Sequence, residues 1–360
     1  MRIGLVVNPL AGLGGPLALK GSDDAGAVRA LAGGAPSHAS ARAAAMLRGL
    51  EAGRLTLLTA GGAMGADAAA AAGVPASIVY TPARMSTAVD SVAVAQALIA
   101  GGVDLLVFAG GDGTARDMME AGVGATPVLG IPAGVKMHSA VFATSPASAA
   151  AAIGALGAPP FPTTPAEVVD RAGADQAPRL FGMLWALATP RRQAAKASPP
   201  THPDADLHAS ARLLADELRA EPLALVGPGA TMALVKAALA GDGTLLGVDG
   251  YVRGRRVAPD ADARTLLALA ADRPPRIALG VIGGQGFLLG RGNQQFSPEL
   301  LRLAGRERLV VLASAEKLAA LPHGTLLVDS GDSALDALLC GYLPVRTGPR
   351  RTMMMRVEPA

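Results

Sequence analysis

Through the first 160 residues the chain alternates two kinds of segment. Short continuous apolar runs, "RIGLVV", "RLTLLT", "ASIVY", "VDLLVFA" and "TPVLGIP", are rich in Val, Leu and Ile. Between them lie segments of helical character, "HASARAAAMLRGLEAG", "AMGADAAAAAG", "STAVDSVAVAQALIAGG" and "TARDMMEAG". The first kind predicts strands and the second helices; their alternation predicts a parallel sheet with helices on its faces. "VDLLVFA" fits a central strand buried on both sides. Ser86 is the expected cap of a helix closed by Gly101-Gly102, and Ser145-Pro146 places a cap and a first-turn proline before "ASAAAAIGALG".

The pattern breaks at the proline-rich "GAPPFPTTP", Gly157 to Pro165, and again at "KASPPTHPDAD", which reads as an exposed loop in the second half. Beyond it come helix "ADLHASARLLADELRA", strand "LALVG", turn "PGAT", helix "MALVKAALA", then the strand-like "TLLGVDGYVRG", "RIALGVI", "RLVVLAS" and "TLLVDSGDSALDALLCGYLPVRTG". At 360 residues the chain exceeds the roughly 250–300 at which single cores split. The expected organisation is an α/β domain over residues 1–160, a second domain over 161–345 whose last part either stays with it or returns to the first, and a frayed tail over 346–360.

Composition narrows the function classes. With 51% hydrophobic but only 3% aromatic residues, the core must be built from Ala, Val, Leu and Ile. A net charge of +3, without a Lys/Arg run interleaved with aromatics, argues against a nucleic-acid surface and suits a small polyanion better. No uninterrupted apolar stretch reaches the ~18 residues of a membrane span, and "MRIGLVVNP" is too short for a signal peptide. The single Cys340 excludes an intramolecular disulfide and fits a reducing cytoplasm.

One tetrapeptide, Gly-Asp-Gly-Thr, occurs twice, at 111–114 and 241–244. The first copy follows "VDLLVFA", so it sits at the carboxyl end of a parallel strand, where such sheets bind ligands. Gly110, Gly111 and Gly113 let the backbone approach a ligand and aim N–H groups at phosphate oxygens, and Thr114 opens a helix whose N-terminus adds positive potential. A carboxylate there should repel phosphate. Asp112 therefore either holds Mg²⁺, or accepts a proton from an attacking hydroxyl, or only supports a tight turn. The second copy follows a helix, with Gly241 at the C-terminal glycine position, and reads as an ordinary turn.

Gly110-Gly111-Asp112-Gly113-Thr114 after an apolar strand, with Asn8-Pro9 after the first strand, resembles the superfamily of NAD kinases and diacylglycerol/sphingosine kinases. "NPLAGLGGPLALKGSDD", "GIPAGVKMHSAVFA" and "GGQGFLLGRGNQQFSP" look like the ATP-NAD kinase-like subfamily that includes the acetoin-catabolism X proteins, and these phrases span nearly the whole chain. The resemblance implies an α/β nucleotide-binding domain and a β-rich second domain. It implies transfer of the γ-phosphoryl group of ATP, arriving with Mg²⁺, to the 2′-hydroxyl of the adenosine ribose of NAD(H). Asp112 carries over as the base that activates that hydroxyl, Gly110, Gly111, Gly113 and Thr114 as phosphate and nucleotide contacts, and a homo-oligomer as the assembly.

The remaining phrases offer partners for such a site. Asn8 either bonds a nucleotide or forms a turn with Pro9, and Lys20 either reaches phosphate or is solvated. Lys136, in the loop after "TPVLGIP", is the candidate for neutralising charge on the phosphates, and His138 is either a polar contact or acid/base partner, or a core or capping histidine. Arg291, Asn293, Gln294 and Gln295 concentrate donors in a glycine-rich segment that suits phosphate and base edges or else forms a hairpin, and Thr231 opens another strand–turn–helix unit. The Asn-Glu pair with which ordinary NAD kinases hold the dinucleotide has no counterpart here, so a related kinase with another hydroxyl acceptor, or a nucleotide sensor, remains open. The "GTxND" phrase of the lipid kinases is also missing.

Overall fold

The computed structural model describes residues 1–12, 37–51, 53, 55–82, 86–134, 137–171, 178–193, 205–321 and 323–360. The described chain forms two compact units, the first through residue 193 and the second from 205.

In the first unit, strands β1 (Arg2–Val7), β2 (Thr56–Ala60), β3 (Ala76–Tyr80), β4 (Leu105–Gly110) and β5 (Val128–Pro132) are joined by helices α1 (His38–Arg48), α2 (Ala66–Ala72), α3 (Ala88–Ala100) and α4 (Asp112–Glu120). Helix α5 (Pro146–Gly154) follows, then the hairpin β6 (Thr163–Arg171) and β7 (Pro178–Leu187). The seven-stranded sheet has the order β3-β2-β1-β4-β5-β7-β6. Strands β1 to β5 are parallel, and β6 runs antiparallel to β7 along the edge.

Alternating side chains of each strand feed two cores. Ile3, Leu5 and Val7 pack with Ala39, Ala43, Met46 and Leu47 of α1 on one face. Val6, Leu106 and Phe108 pack with Val94 and Leu98 of α3 and Met118 of α4 on the other. This is why β1 and β4 read as unbroken apolar runs: each side chain is covered by a helix on one side or the other. Each such buried aliphatic is worth roughly 1.5–3 kcal/mol.

The second unit contains α6 (Ala205–Ala220), β8 (Ala224–Val226), α7 (Ala230–Ala240), β9 (Asp249–Val252), β10 (Arg255–Ala258), α8 (Ala263–Leu269) and β11 (Arg276–Gly280). It continues with α9 (Pro298–Ala304), β12 (Leu309–Leu312), α10 (Ala315–Ala319), β13 (Thr325–Val328), α11 (Ser333–Leu339), β14 (Gly341–Gly348) and β15 (Arg351–Pro359). Its eight-stranded sheet runs β10-β9-β8-β11-β12-β14-β15-β13, with β8, β11, β12 and β14 parallel. The second unit is thus rich in strands, as expected, and carries helices as the first does.

Three expectations need correction. The break placed at residue 160 falls inside the first sheet, because β7 pairs with β5 and β6 with β7. The tail is not frayed: β15 is held between β14 and β13, which satisfies its backbone on both sides. Helix α3 is capped one residue later than Ser86, by Thr87, whose N–H and hydroxyl both donate to Asp90 at 2.8 and 3.0 Å. Ser145 caps α5 as expected, accepting from the Ser148 N–H at 3.0 Å. Among the described residues no helix is long and apolar enough to cross a membrane.

Candidate active site

The strand order fixes where a ligand belongs. Successive strands run outward from β1 through β2 to β3, then the chain returns to the other side of β1 with β4. In open α/β sheets the crevice at such a reversal, at the carboxyl ends of the two strands, is the binding position. Here those ends carry Asn8 and the Gly110–Thr114 turn, and the Asn8 N–H donates to the Ala109 carbonyl at 2.9 Å. The Asn8 side-chain amide reaches across to Thr114 Oγ1 at 3.0 Å, while its Oδ1 accepts from the Leu10 N–H. Asn8 therefore acts both as a turn residue and as a tie between the two strand ends.

Glycines at 110 and 134 are demanded by close approach, and Gly111 is crowded by Gly134. A Cβ on Gly110 would lie 2.3 Å from Thr114 Oγ1, and one on Gly134 would lie 2.9 Å from the Gly111 Cα. The turn after β4 thus lies backbone against backbone on the turn after β5. Gly113 differs: a Cβ there would meet nothing within 4 Å. It lies in the first turn of α4, which begins at Asp112 rather than at the expected Thr114 and has Gly111 as its cap.

Asp112 is only 4% exposed and is held by the loop that follows β5. Its Oδ2 accepts from the His138 N–H at 2.7 Å, and its Oδ1 accepts from the Ser139 N–H at 2.9 Å and the Ser139 hydroxyl at 2.6 Å. Burial pushes its pKa up from 3.8 to about 6, outweighing the three hydrogen bonds from Ser139 and His138, and the Asp170 carboxylate adds to the rise. No described cation forms an ion pair with it. The His138 side chain accepts at Nε2 from Arg171 Nε at 3.3 Å, which requires that nitrogen to be unprotonated. Arg116 of α4 pairs with Asp170 at 3.1 Å.

The structure therefore brings together Asn8, Gly110, Gly111, Asp112, Gly113, Thr114 and His138. Lys136 and Lys20 lie outside the described residues. Sequence reading missed Ser139, although it stands beside His138 in the quoted phrase. Arg171 was missed as well, because its partner His138 lies 33 residues away in the sequence.

The other expected contacts belong to the second unit. Arg291 is buried, its Nη1 bonding Asp329 Oδ2 at 3.0 Å and the Gly290 carbonyl at 3.1 Å, with its guanidinium 4.3 Å above the Phe287 ring. The expectation that it presents a fork to phosphate gives way, because its charge is already balanced inside the fold. Asn293 accepts from the Gly290 N–H and donates to the Leu288 carbonyl, and Gln294 donates to the Gly290 carbonyl. These amides fasten the glycine-rich loop to itself. Thr231, in the first turn of α7, has its Oγ1 3.4 Å from Lys317 Nζ.

Among the described residues no group of three or more His, Cys, Asp or Glu could hold a metal ion. Asp112 Oδ1 accepts two hydrogen bonds and Oδ2 one, which hold the carboxylate in place.

Two family models match the chain: ATP-NAD kinase N-terminal domain over residues 3–158, and ATP-NAD kinase C-terminal domain over residues 220–357. Neither a curated protein nor a solved structure matches significantly.

Proposed function

The chain belongs to the ATP-NAD kinase family, a family of phosphotransferases, and from that premise we propose that it transfers the γ-phosphoryl group of Mg-ATP to the adenosine-ribose 2′-hydroxyl of NAD(H). The observation that supports this most is Asp112: a buried carboxylate at the strand-order reversal, with a pKa of about 6. At neutral pH it is ionised and ready to take a proton from an attacking hydroxyl, yet basic enough for the transfer to be favourable. A site that only bound phosphates would gain by replacing this carboxylate, so turnover is a better reading than sensing.

Around it, each residue of the first unit has a part. The open first turn of α4, with its free N–H groups and the absent Gly113 side chain, receives phosphate oxygens. Asn8 and Thr114 hold the two strand ends at a fixed distance for the nucleotide. Lys136 supplies positive charge toward the transferred group. In this reading the enzyme works as a cytoplasmic homo-oligomer of the subfamily that includes the acetoin-catabolism X proteins.

The test incubates the purified protein with Mg-ATP and either NAD or NADH, then reads NADP(H) with a dehydrogenase that requires the 2′-phosphate. Product that vanishes in Asp112→Asn supports the assignment. ATP consumption with some other hydroxyl compound, and none with either dinucleotide, would replace the acceptor and keep the kinase.

A further inference from the structure

Ser139 is fully buried and joins Asp112 to the edge strand of the sheet. Its hydroxyl oxygen lies 2.6 Å from Asp112 Oδ1, 3.0 Å from the Val169 carbonyl oxygen and 3.1 Å from the Val169 nitrogen. In an edge strand the N–H and C=O of one residue point the same way and need a partner. At Val169 the serine side chain is that partner. The main chain around it is fixed as well: the Ala140 N–H donates to the Glu167 carbonyl at 3.0 Å, and the Gln193 side-chain amide donates to the Ser139 carbonyl at 3.0 Å.

A hydroxyl has one hydrogen and two acceptor positions, and here it has two acceptors in reach. With Asp112 ionised, Oγ accepts from the Val169 N–H and donates to Oδ1. With Asp112 protonated at Oδ1, Oγ accepts from both the carboxyl O–H and the Val169 N–H and donates to the Val169 carbonyl. Every donor of the trio has an acceptor in both states, the Val169 carbonyl receives the hydroxyl hydrogen only when Asp112 is protonated, and only that hydrogen turns.

We infer that Ser139 is a positioning residue whose rotating hydroxyl lets Asp112 gain and lose a proton without moving its heavy atoms. The inference rests on the reading of Asp112 as the base. In the reaction, the acceptor's O–H bond breaks as its oxygen forms a bond to the γ-phosphorus, its proton passes to the Asp112 carboxylate, and ADP leaves with the electrons of the broken P–O bond. Asp112 afterwards returns the proton to solvent. Among the described residues, the other charged or titratable groups near the pair are Asp170, tied to Arg116, and His138, tied to Arg171.

The experiment titrates the Asp112 carboxyl by ¹³C NMR in the wild-type protein and in Ser139→Ala, with Asp112→Asn to assign the signal. Loss of a hydrogen bond to the charged form should raise the Asp112 midpoint by about one pH unit. In steady-state kinetics the acidic limb of kcat should move by the same amount, kcat should fall about tenfold or more, and KM for ATP should stay close to its original value. Ser139→Cys keeps the volume but donates weakly, so it should shift the midpoint the same way even if the alanine variant does not fold. A folded variant in which the Asp112 midpoint stays put, whatever its thermal stability, overturns the inference. A shifted midpoint in a protein with no kinase activity on any acceptor would leave the Ser139 assignment standing and sink the kinase reading instead.

Discussion

The two Gly-Asp-Gly-Thr copies lead to two buried carboxylates with opposite character. In the first, the motif's own Asp112 is buried and receives three hydrogen bonds, but no described cation pairs with it. In the second, Asp242 is exposed and pairs with Arg256, while Thr244 turns inward to Asp249. Asp249 also receives three hydrogen bonds, from the Thr244 N–H and hydroxyl and the Asp260 N–H. The difference is Lys236, fully buried with its Nζ 3.4 Å from Asp249. Burial pushes Asp249 up, yet the Thr244 hydroxyl, the Asp260 N–H and the Lys236 charge hold it below the usual carboxylate value. Asp112 has the donors but no partner among the described cations, and burial raises it. Burial that outweighs the hydrogen bonds makes a carboxylate a proton acceptor near neutrality; where hydrogen bonds and a buried cation together outweigh burial, the carboxylate stays ionised as a structural fastening.

The sharpest way to break this comparison is to remove each carboxylate's charge. Asp112→Asn should lower turnover by roughly 10² to 10⁴, the usual contribution of a positioned base, with the protein still folded. Asp242→Asn should leave turnover almost unchanged. Equal losses in the two variants, measured as initial rates of phosphoryl transfer, would erase the distinction between the copies.

The second copy should instead show itself in stability. Lys236→Met strands the Asp249 carboxylate in the core, where an uncompensated buried charge costs about 3–5 kcal/mol. Chemical denaturation should show that loss, while the rate per folded molecule stays near that of the wild type. The double variant Lys236→Met/Asp249→Asn should recover much of it, because no charge is then left unpaired.

pH separates the two sites further. Asp112 has a folded pKa of about 6 against an unfolded 3.8, so the folded state binds the proton more tightly. Its contribution to stability is fully present below about pH 4 and is lost as pH rises through about 6, a change of up to about 3 kcal/mol. Activity should run the other way, rising through the same interval as the base ionises. Denaturation of the wild type and Asp112→Asn at pH 4 and pH 7 should show the stability gap changing between them. A gap independent of pH would mean that Asp112 keeps an ordinary pKa.

Most of the first unit was legible because its signals are local. The runs from "RIGLVV" to "TPVLGIP" and the caps around them are read within a few residues, and the rule for parallel sheets then places Asn8, Asp112 and Thr114 together. What was missed depends on pairing across the chain. Strands β6 and β7 looked like a new domain because the prolines before Thr163 interrupt the pattern, and only the pairing of β7 with β5 assigns them to the first sheet. "RTMMMRVEP" reads as a tail until β14 and β13 flank it. Ser139 bonds partners 27 and 30 residues away, Arg171 bonds one 33 residues away, and no short motif encodes either.

The smallest expected effect tests the backbone of the first copy rather than its charge. Gly110, Gly111 and Gly134 have neighbours that a Cβ would strike or crowd, but Gly113 faces open space at an ordinary backbone angle within a helix. For the fold alone, alanine is the better residue there, by up to about 1 kcal/mol of helix propensity. The fold therefore does not explain the glycine, whereas the proposed approach of phosphate oxygens to the N–H groups of the first turn would. Gly113→Ala should raise or preserve the melting temperature and yet raise KM for ATP several-fold, with kcat less affected. If KM is unchanged, the first turn of α4 is not where the phosphates lie, and the comparison with the second copy must rest on Asp112 alone.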